Sequence, residues 1–468
     1  MKKIFSLFTV AFISMFALVL GVNAKEVADA TELSDCISGT DTVCKLTDNI
    51  SSDVVIPSGR AVTLDLNGKE LSNATTKDTI YVEKGATLTI TGNGTVVVKN
   101  ATNYATLFNN GTVIIENGSF KRDTAGNNNK WYMILNHGIM TINDITVTIE
   151  NEDEIIQSAG GHPSLIENGY SSFSSGNERS GYVDGTNLEE PTLTINGGTF
   201  IGGLNTIKND DNGILEINDG LFKNTVQVSL LNWNEAEING GTFETPTGKD
   251  KTNIAVKNSA NSINKGILVI NGGTFNAENT LEGDVVTPIE INGGTFNYTK
   301  NFINQDPTRT NDNLEEDATA PIITSGTFAS DVTKYLGTNV AQKEVDGVVY
   351  VGEAYEVTLD KIENGKVTLS AEEAVAGQPV KLTIEANKGY KLAKAVYVGA
   401  DGKEVEIKDG KFTMPDEDVT VKVTFEQETA AKGDVKNPDT GDNTALFMVL
   451  GIIGLMGTAL TAKKLRNN

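Results

Sequence analysis

Few side chains in this sequence could take part in catalysis or bind a metal. Its 468 residues include two histidines and two cysteines, too few for the usual zinc or haem sites or for cysteine–histidine catalysis. Acidic groups are plentiful, and the adjacent Asp210 and Asp211 could supply carboxylates for acid–base chemistry. However, Asp210-Asp211-Asn212-Gly213 is also typical of a turn. We expect the turn, and we predict no catalytic set, no metal site and no cofactor.

Aromatic and charged side chains gather in one irregular stretch of the chain. Between Val147 and Phe200 the repeats described below are interrupted, and a long connection precedes this region. Loops that project from a rigid scaffold often carry binding residues, and aromatic rings there could stack on sugars. The candidate ligand-binding residues are Trp131, Tyr132, His162, Tyr170, Arg179 and Tyr182. The alternative is a loop without a binding role that contains one degenerate coil.

Composition and charge exclude several classes of protein. Asp and Glu outnumber Lys and Arg by 62 to 38, and the formal net charge is −24. A chain this acidic repels nucleic-acid phosphates, so we predict no nucleic-acid partner. With 38% hydrophobic and 21% charged residues, neither wholesale disorder nor a polytopic membrane protein fits.

Both ends of the sequence contain an apolar segment beside basic residues. In residues 1–24, Lys2 and Lys3 follow the first methionine and precede an apolar run, which is the pattern of a secretory signal peptide. The alternative is an uncleaved signal anchor. Near the other end, an apolar run over 445–462 precedes a basic tail. We expect this run to be a transmembrane helix with its tail in the cytoplasm.

The pentapeptide before the second apolar run is Asn437-Pro438-Asp439-Thr440-Gly441. With the helix and tail, it resembles the LPXTG-type cell-wall sorting signal of Gram-positive surface proteins. The resemblance implies that sortase cuts between Thr440 and Gly441 and joins the Thr440 carboxyl to peptidoglycan, so that only the precursor lies in the membrane. Asn437 replaces the usual Leu, which leaves the sortase subclass open, and a plain membrane-anchored tail is the alternative.

Export would also place the two cysteines, Cys36 and Cys44, outside the reducing cytosol. We expect a structural disulfide between them, although two lone cysteines could also stay reduced.

An eight-residue pattern recurs ten times between residues 64 and 328, with LTINGGTF from Leu193 as a clear copy. Its alternation of apolar and polar residues predicts a strand, and Asn-Gly supplies the positive φ of a sharp corner. Successive phenylalanines from Phe200 to Phe296 are 22, 21, 32 and 21 residues apart, which suits one coil of a solenoid. No run of helical periodicity interrupts this region, so helical and leucine-rich repeats are excluded.

Three short strands per coil predict a parallel β-helix. An asparagine upstream of each octet and the phenylalanine at the end of the octet should form two internal ladders. The asparagines are Asn109, Asn136, Asn209, Asn232 and Asn258, and the phenylalanines are Phe120, Phe200, Phe222, Phe243, Phe275, Phe296 and Phe328. Over roughly residues 45–330 the repeat resembles the right-handed β-helix of the pectin-lyase-like superfamily. We therefore predict an all-β fold with about ten or more coils, spanning 25–352 together with an N-terminal cap.

Residues 353–428 form a separate predicted module. Asn364-Gly365, Asp401-Gly402 and Asp409-Gly410 are hairpin or turn signals between alternating strands. The sequence resembles the divergent internalin-type B-repeat of bacterial surface proteins, which implies a small β-rich, grasp-like stalk. Residues 429–468 would then contain a linker, the sorting motif, the transmembrane helix and the basic tail.

The β-helix superfamily includes pectate lyases and polygalacturonases, so an enzyme is one possible interpretation. Of the polygalacturonase motifs, only the Asp-Asp pair is present, and the nearest histidine motif, around His162, comes before it instead of after it. We therefore favour an adhesin-like protein on the cell wall that binds glycans or host or environmental surface ligands. The alternatives are a wall-bound polysaccharide lyase or glycoside hydrolase that uses the 150–190 region, and a purely structural wall component.

Overall fold

The computed structural model describes residues 24–99, 104–122, 132–149, 164–170, 190–224, 226–245, 253–260, 266–284, 289–306 and 321–428. They form a right-handed parallel β-helix followed by a β-rich module. The predicted all-β fold class is confirmed. Helical structure in the described part of the chain comprises α1 (Ala30–Ser38) and one 3-10 turn (Thr333–Tyr335).

The strands of the β-helix, numbered in chain order, form three stacks that run along the solenoid. Sheet A has twelve strands: β1 (Lys25–Val27), β2 (Val43–Leu46), β5 (Ala61–Asp65), β8 (Thr87–Thr91), β11 (Thr112–Ile115), β14 (Ile139–Ile142), β17 (Thr192–Ile195), β20 (Ile214–Ile217), β23 (Glu235–Ile238), β26 (Ile267–Ile270), β28 (Ile289–Ile291) and β30 (Ile322–Ile323). All of its pairings are parallel, so successive coils are in register along this side.

The other two stacks belong to one 21-stranded sheet. Stack B comes before sheet A in each coil and contains β4 (Val54–Ile56), β7 (Ile80–Val82), β10 (Leu107–Asn109), β13 (Ile134–Asn136), β16 (Ile166–Asn168), β19 (Asn205–Asn209), β22 (Val228–Asn232) and β25 (Ile254–Asn258). Stack C follows sheet A and contains β3 (Ile50–Ser51), β6 (Glu70–Ser72), β9 (Thr95–Val98), β12 (Ser119–Arg122), β15 (Thr146–Thr148), β18 (Thr199–Ile201), β21 (Leu221–Lys223), β24 (Thr242–Glu244) and β31 (Gly326–Phe328). Two long strands, β27 (Thr274–Asp284) and β29 (Thr295–Asp306), pass through both stacks.

The octet forms a strand and a corner for simple stereochemical reasons. In β17 the alternating Leu193 and Ile195 are fully buried, whereas Thr192 and Thr194 are on the outside. The corner that follows needs a residue with positive φ, and Gly198 has a φ of 117°. A Cβ atom at Gly198 would lie 2.6 Å from the carbonyl oxygen of Ile145 in the neighbouring coil. The second glycine of the octet is therefore required by both conformation and space.

The predicted asparagine ladder is present at the corner between stack B and sheet A. Each side-chain amide donates to the next Oδ1 along the solenoid at 2.7–2.8 Å. The ladder contains Asn109, Asn136, Asn168, Asn209, Asn232 and Asn258, so Asn168 joins the five predicted members. The same amides also donate to backbone carbonyls, as Asn209 does to Gly213 and Glu235 at 2.9 Å. They thus satisfy groups that the corner leaves outside the strand pairing.

The phenylalanine stack fills the core behind stack C. From Phe200 to Phe328, six parallel rings follow one another with centroid distances of 4.8–5.0 Å. Phe120 lies in the same row, but Val147 separates it from Phe200. The continuous ring stack therefore begins at Phe200, and Phe120 is buried against aliphatic neighbours instead.

The first coils are covered by α1, whose N-cap residue is Asp29. The Asp29 side chain accepts hydrogen bonds from the backbone N–H groups of Thr31 and Glu32 at 2.8 and 2.9 Å, as an N-cap residue does. Cys36 and Cys44 form a disulfide that joins α1 to β2. This end of the solenoid core is therefore covered by a helix that is covalently tied to the second strand of sheet A.

The other end of the β-helix closes with an antiparallel hairpin. Strands β32 (Ala341–Val345) and β33 (Val348–Gly352) pair with each other, and β33 also pairs with β31. Asp346 and Gly347 both have positive φ, 54° and 80°, as a two-residue hairpin turn requires. The hairpin uses the last free edge of stack C, which would otherwise expose unpaired backbone groups.

The C-terminal module has its own hydrophobic core, which includes Val357, Phe412 and Val421. Its strands are β34 (Ala354–Leu359), β35 (Gly365–Leu369), β36 (Glu373–Val375), β37 (Pro379–Ala386), β38 (Tyr390–Val398), β39 (Glu404–Glu406), β40 (Lys411–Thr413) and β41 (Val419–Gln427). One sheet has the order β36-β34-β41-β38-β39 and the other β35-β37-β40, and β34 and β41 pair in parallel.

Candidate functional site

Two of the six residues predicted to bind a ligand lie in the described part of the chain. Tyr132 precedes β13 and is 7% exposed, and Tyr170 follows β16 and is 8% exposed. Both side chains are therefore buried, and their role in ligand binding stays a prediction. Trp131, His162, Arg179, Tyr182 and the sorting motif of residues 437–441 lie outside the described residues.

Tyr132 belongs to a group of polar side chains buried on the outer side of stack B. Glu167 in β16 and Lys208 in β19 are direct neighbours across the parallel pair. Their sequence neighbours Ile166 and Ile207 face the core, so Glu167 and Lys208 point outward. Asp210 follows β19. We call Tyr132, Glu167, Lys208 and Asp210 the outer cluster.

The ammonium group of Lys208 connects the outer cluster. It lies 3.4 Å from Glu167 Oε1 and 3.3 Å from the Tyr132 hydroxyl, and it forms a close ion pair with Asp210 Oδ2. The side chain of Lys208 is 13% exposed, that of Asp210 4% and that of Glu167 0%. One cation thus uses its three N–H donors on three different segments of chain.

Burial shifts the titration of these groups. The pKa of Glu167 is raised well above its ordinary value, because loss of contact with water outweighs the attraction of Lys208, and the charge of Asp210 adds to the rise. The pKa of Lys208 is also raised, because Asp210, Tyr132 and Glu167 together outweigh the burial that opposes its charge. Burial and the nearby Glu167 raise the pKa of the Tyr132 hydroxyl. These directions favour a protonated Glu167 beside an ionised Lys208.

An aromatic row continues from the outer cluster toward the N-terminal coils. The rings of Tyr81 and Phe108 have centroids 5.2 Å apart, and Phe108 meets the His137 ring edge-on at 5.2 Å. His137 in turn packs on Tyr170 at 4.5 Å. Phe108, Tyr132 and Leu135 form a small hydrophobic cluster separate from the core of the solenoid. The outer side of stack B is therefore a second packed layer.

The Asp-Asp pair forms the turn that the sequence predicts. The Gly213 N–H donates to the Asp210 carbonyl at 3.0 Å, and Asn212 has a φ of 62°. The sequence did not indicate the environment of the two carboxylates, which are 3% and 0% exposed for Asp210 and Asp211. The turn holds Asp210 against Lys208, and Asp211 forms an isolated bridge with Tyr170.

Glu167, a carboxyl group with a raised pKa, lies in the outer cluster with a second carboxyl group, Asp210, and acid–base enzymes use such pairs. However, both carboxyl groups are enclosed, so a polymer cannot reach them in the described arrangement. Within the described ranges, no group of three or more His, Cys, Asp or Glu residues is arranged to hold a metal ion.

The outer face of sheet A carries regular rows of half-buried and exposed side chains. Over β5, β8, β11, β14 and β17, two outward rows run along the solenoid, and we call these ten residues the threonine face. The rows are Ala61, Thr87, Thr112, Ile139 and Thr192, and Thr63, Thr89, Ile114, Thr141 and Thr194. Seven of the ten are threonines and none is charged. In the strands that follow, Glu216, Glu235 and Glu237 occupy the same rows.

Comparisons with known proteins identify one part of the chain. Residues 355–429 match the family model of the divergent InlB B-repeat domain. No curated protein and no solved structure matches the chain. The match confirms the B-repeat resemblance of the C-terminal module and indicates a surface-associated protein. In the part of the chain that the structure describes, no helix is long and apolar enough to span a bilayer.

Proposed function

We propose that this chain is a cell-wall-anchored surface protein of a Gram-positive bacterium. In this proposal the β-helix binds glycans or host or environmental surface ligands, and the B-repeat-like module is its stalk. The observation that carries the proposal is the outer face of sheet A, which extends over twelve parallel strands in register from Lys25 to Ile323. Its outward side chains are at the surface, whereas the polar groups of the outer cluster are enclosed. A long, rigid lateral surface suits binding, because little order has to be gained when a ligand docks.

Anchoring is tested by the substitution Thr440→Ala, because Thr440 would form the bond to peptidoglycan. We expect the wild-type protein to appear in the fraction released by muramidase, and the variant to shift to the medium or the membrane fraction. Cells that carry the wild-type chain should adhere to ligand-coated surfaces, and the variant should lose this adhesion together with wall linkage. Asp439→Asn is the matched control, since it changes the variable position of the motif. Unchanged wall linkage of Thr440→Ala would contradict sortase anchoring.

A wall-bound polysaccharide lyase or glycoside hydrolase is the second candidate. The observation in its favour is the chemistry of the outer cluster, where burial keeps the pKa of Glu167 high beside Asp210, and cleavage would require the enclosing side chains to open to the substrate. If the full-length protein cleaves acidic or neutral polysaccharides, Glu167→Gln should abolish cleavage, because Gln has no proton to donate. Failure of the wild-type chain to release reducing ends or unsaturated products from any polysaccharide would eliminate this candidate.

A further inference from the structure

The outer face of sheet A changes character halfway along the solenoid. The threonine face covers five strands and has no charged residue in its two rows. The next two strands place Glu216, Glu235 and Glu237 in those rows, and Glu290 follows further along. The backbone is equivalent in both halves, so the difference lies in the side chains alone. A third outward row beside these two begins with Asp65 and Thr91, so the absence of charge is a property of the two rows and not of the whole face.

We propose that the threonine face binds neutral, linear polysaccharide, an inference that rests on the proposed binding function and narrows it to one surface and one ligand class. Each threonine offers a hydroxyl that can both donate and accept a hydrogen bond, next to a methyl group. Sugar rings likewise present hydroxyl groups beside C–H surfaces. Ile114 and Ile139, the latter 54% exposed, add apolar contact within the rows. The surface therefore matches a carbohydrate in both polar and apolar chemistry.

The spacing of the face favours a repeating ligand. Register is kept from Thr87 to Thr112, Ile139 and Thr192, so equivalent outward positions, most of them threonine, recur at every strand, about 4.8 Å apart. The backbone beneath is fixed by parallel pairing on both sides. Individual hydroxyl hydrogen bonds contribute only about 1 kcal/mol each in water. Affinity must therefore come from many equivalent contacts, which a polymer supplies and a single sugar does not.

Charge argues against an acidic polymer on the threonine face, and size argues against a second copy of this chain there. An acidic polymer would find no cation in the two rows and would be repelled by the chain as a whole. The rows measure roughly 20 by 10 Å, on the order of 200–300 Å². A stable homodimer buries about 800 Å² on each partner, so the threonine face alone is too small to form a homodimer interface. A neutral polysaccharide chain needs no cation in the rows and can bind within this area.

The test measures binding of the full-length chain, kept soluble in detergent, to named polysaccharides. Cellulose, chitin, amylose and mannan are the neutral probes, and polygalacturonate is the acidic probe. In the double variant Thr89→Glu/Thr141→Glu, two charges enter the centre of the face. Glu216 and Glu237 occupy the second of these rows naturally, so the fold tolerates glutamate there. We expect the dissociation constant for the bound neutral polymer to rise about tenfold or more.

Two further variants define the face. Thr146→Glu places the same charge on an exposed threonine of stack C, and we expect its binding to equal that of the wild type. Glu216→Thr extends the uncharged row beyond Thr194 and should tighten binding. Equal binding by the wild type and the double variant would overturn the inference, as would preference for polygalacturonate or protein ligands. Those results would leave the proposed binding function standing, whereas a wild-type chain that binds no glycan and no host protein would refute that function itself.

Discussion

Lys208→Met is expected to lower the free energy of unfolding by about 3–5 kcal/mol, the cost of leaving buried charge without its partner. Lys208 is in contact with Glu167, Asp210 and the Tyr132 hydroxyl. Methionine keeps most of the volume of the side chain but offers no donor and no charge. The two carboxyl groups would then face each other in a site from which water is excluded. Chemical denaturation followed by circular dichroism measures the loss.

The loss should depend on pH in a defined direction. Because the pKa of Glu167 is raised in the folded protein above its ordinary value of 4.5, the stability it contributes is fully present below that value and is lost as the pH rises through the folded pKa. The raised pKa of Lys208 likewise gives stability that is present below 10.5 and lost above it. Without Lys208, no cation offsets the burial of Glu167, so its carboxyl group resists ionisation more strongly. The deficit of Lys208→Met should therefore be larger at pH 8 than at pH 4.5.

Two variants separate this explanation from a general loss of packing. Lys257→Met removes a lysine from the same outward row of stack B, where Glu282 is its carboxylate partner among the described residues. We expect less than half the loss, because only one carboxylate is left behind and it is less buried. Glu167→Gln mimics the protonated acid and should flatten the decline of stability between pH 5 and pH 8. A deficit of Lys208→Met that is the same at both pH values would show that Glu167 does not titrate as proposed.

The repeats predict the scaffold because each coil solves the same stereochemical problem with the same residues. The octet around Leu193 fixes the strand, the corner and the inward ring, and neighbouring copies fix the register. The repeat pattern does not predict Asn168 as a ladder residue, because its coil retains only the short segment Ile166-Glu167-Asn168-Gly169 of the pattern. The pattern does not predict the end hairpin either, although Asp346-Gly347 is a turn signal. Where a copy of the octet is complete, its residues are sufficient to predict the strand, the corner and the inward ring.

The outer cluster could not be predicted in the same way. Tyr132 is 76 residues from Lys208 along the chain, and Glu167 is 41 residues from it. The lengths of the connections between coils vary in this region, so the register that brings these residues together cannot be counted from the sequence. The period-two pattern also predicts only whether a side chain points inward or outward. It does not predict whether an outward side chain is buried by other residues. A lysine and a glutamate in outward positions predict solvated residues, and here they are enclosed.

Phe243→Ala should have the second large effect, a loss of about 3–5 kcal/mol. The Phe243 ring is fully buried between Phe222 at 4.8 Å and Phe275 at 5.0 Å. Alanine would open a cavity in the middle of the stack and remove both ring contacts. Because each coil of a solenoid is stabilised by its neighbours, we expect faster hydrogen exchange in β21, β24 and β27 than in β5 and β8.

Phe120→Ala is the matched control, because it distinguishes the ring stack from simple burial. Phe120 occupies the same row and is equally buried, but its neighbours in the register are Val96 and Val147 and not aromatic rings. An aromatic pair adds about 0.5–1.5 kcal/mol beyond the area it buries. Phe243→Ala should therefore cost about 1–3 kcal/mol more than Phe120→Ala. Equal losses in the two variants would mean that the stacked rings stabilise the solenoid by burial alone.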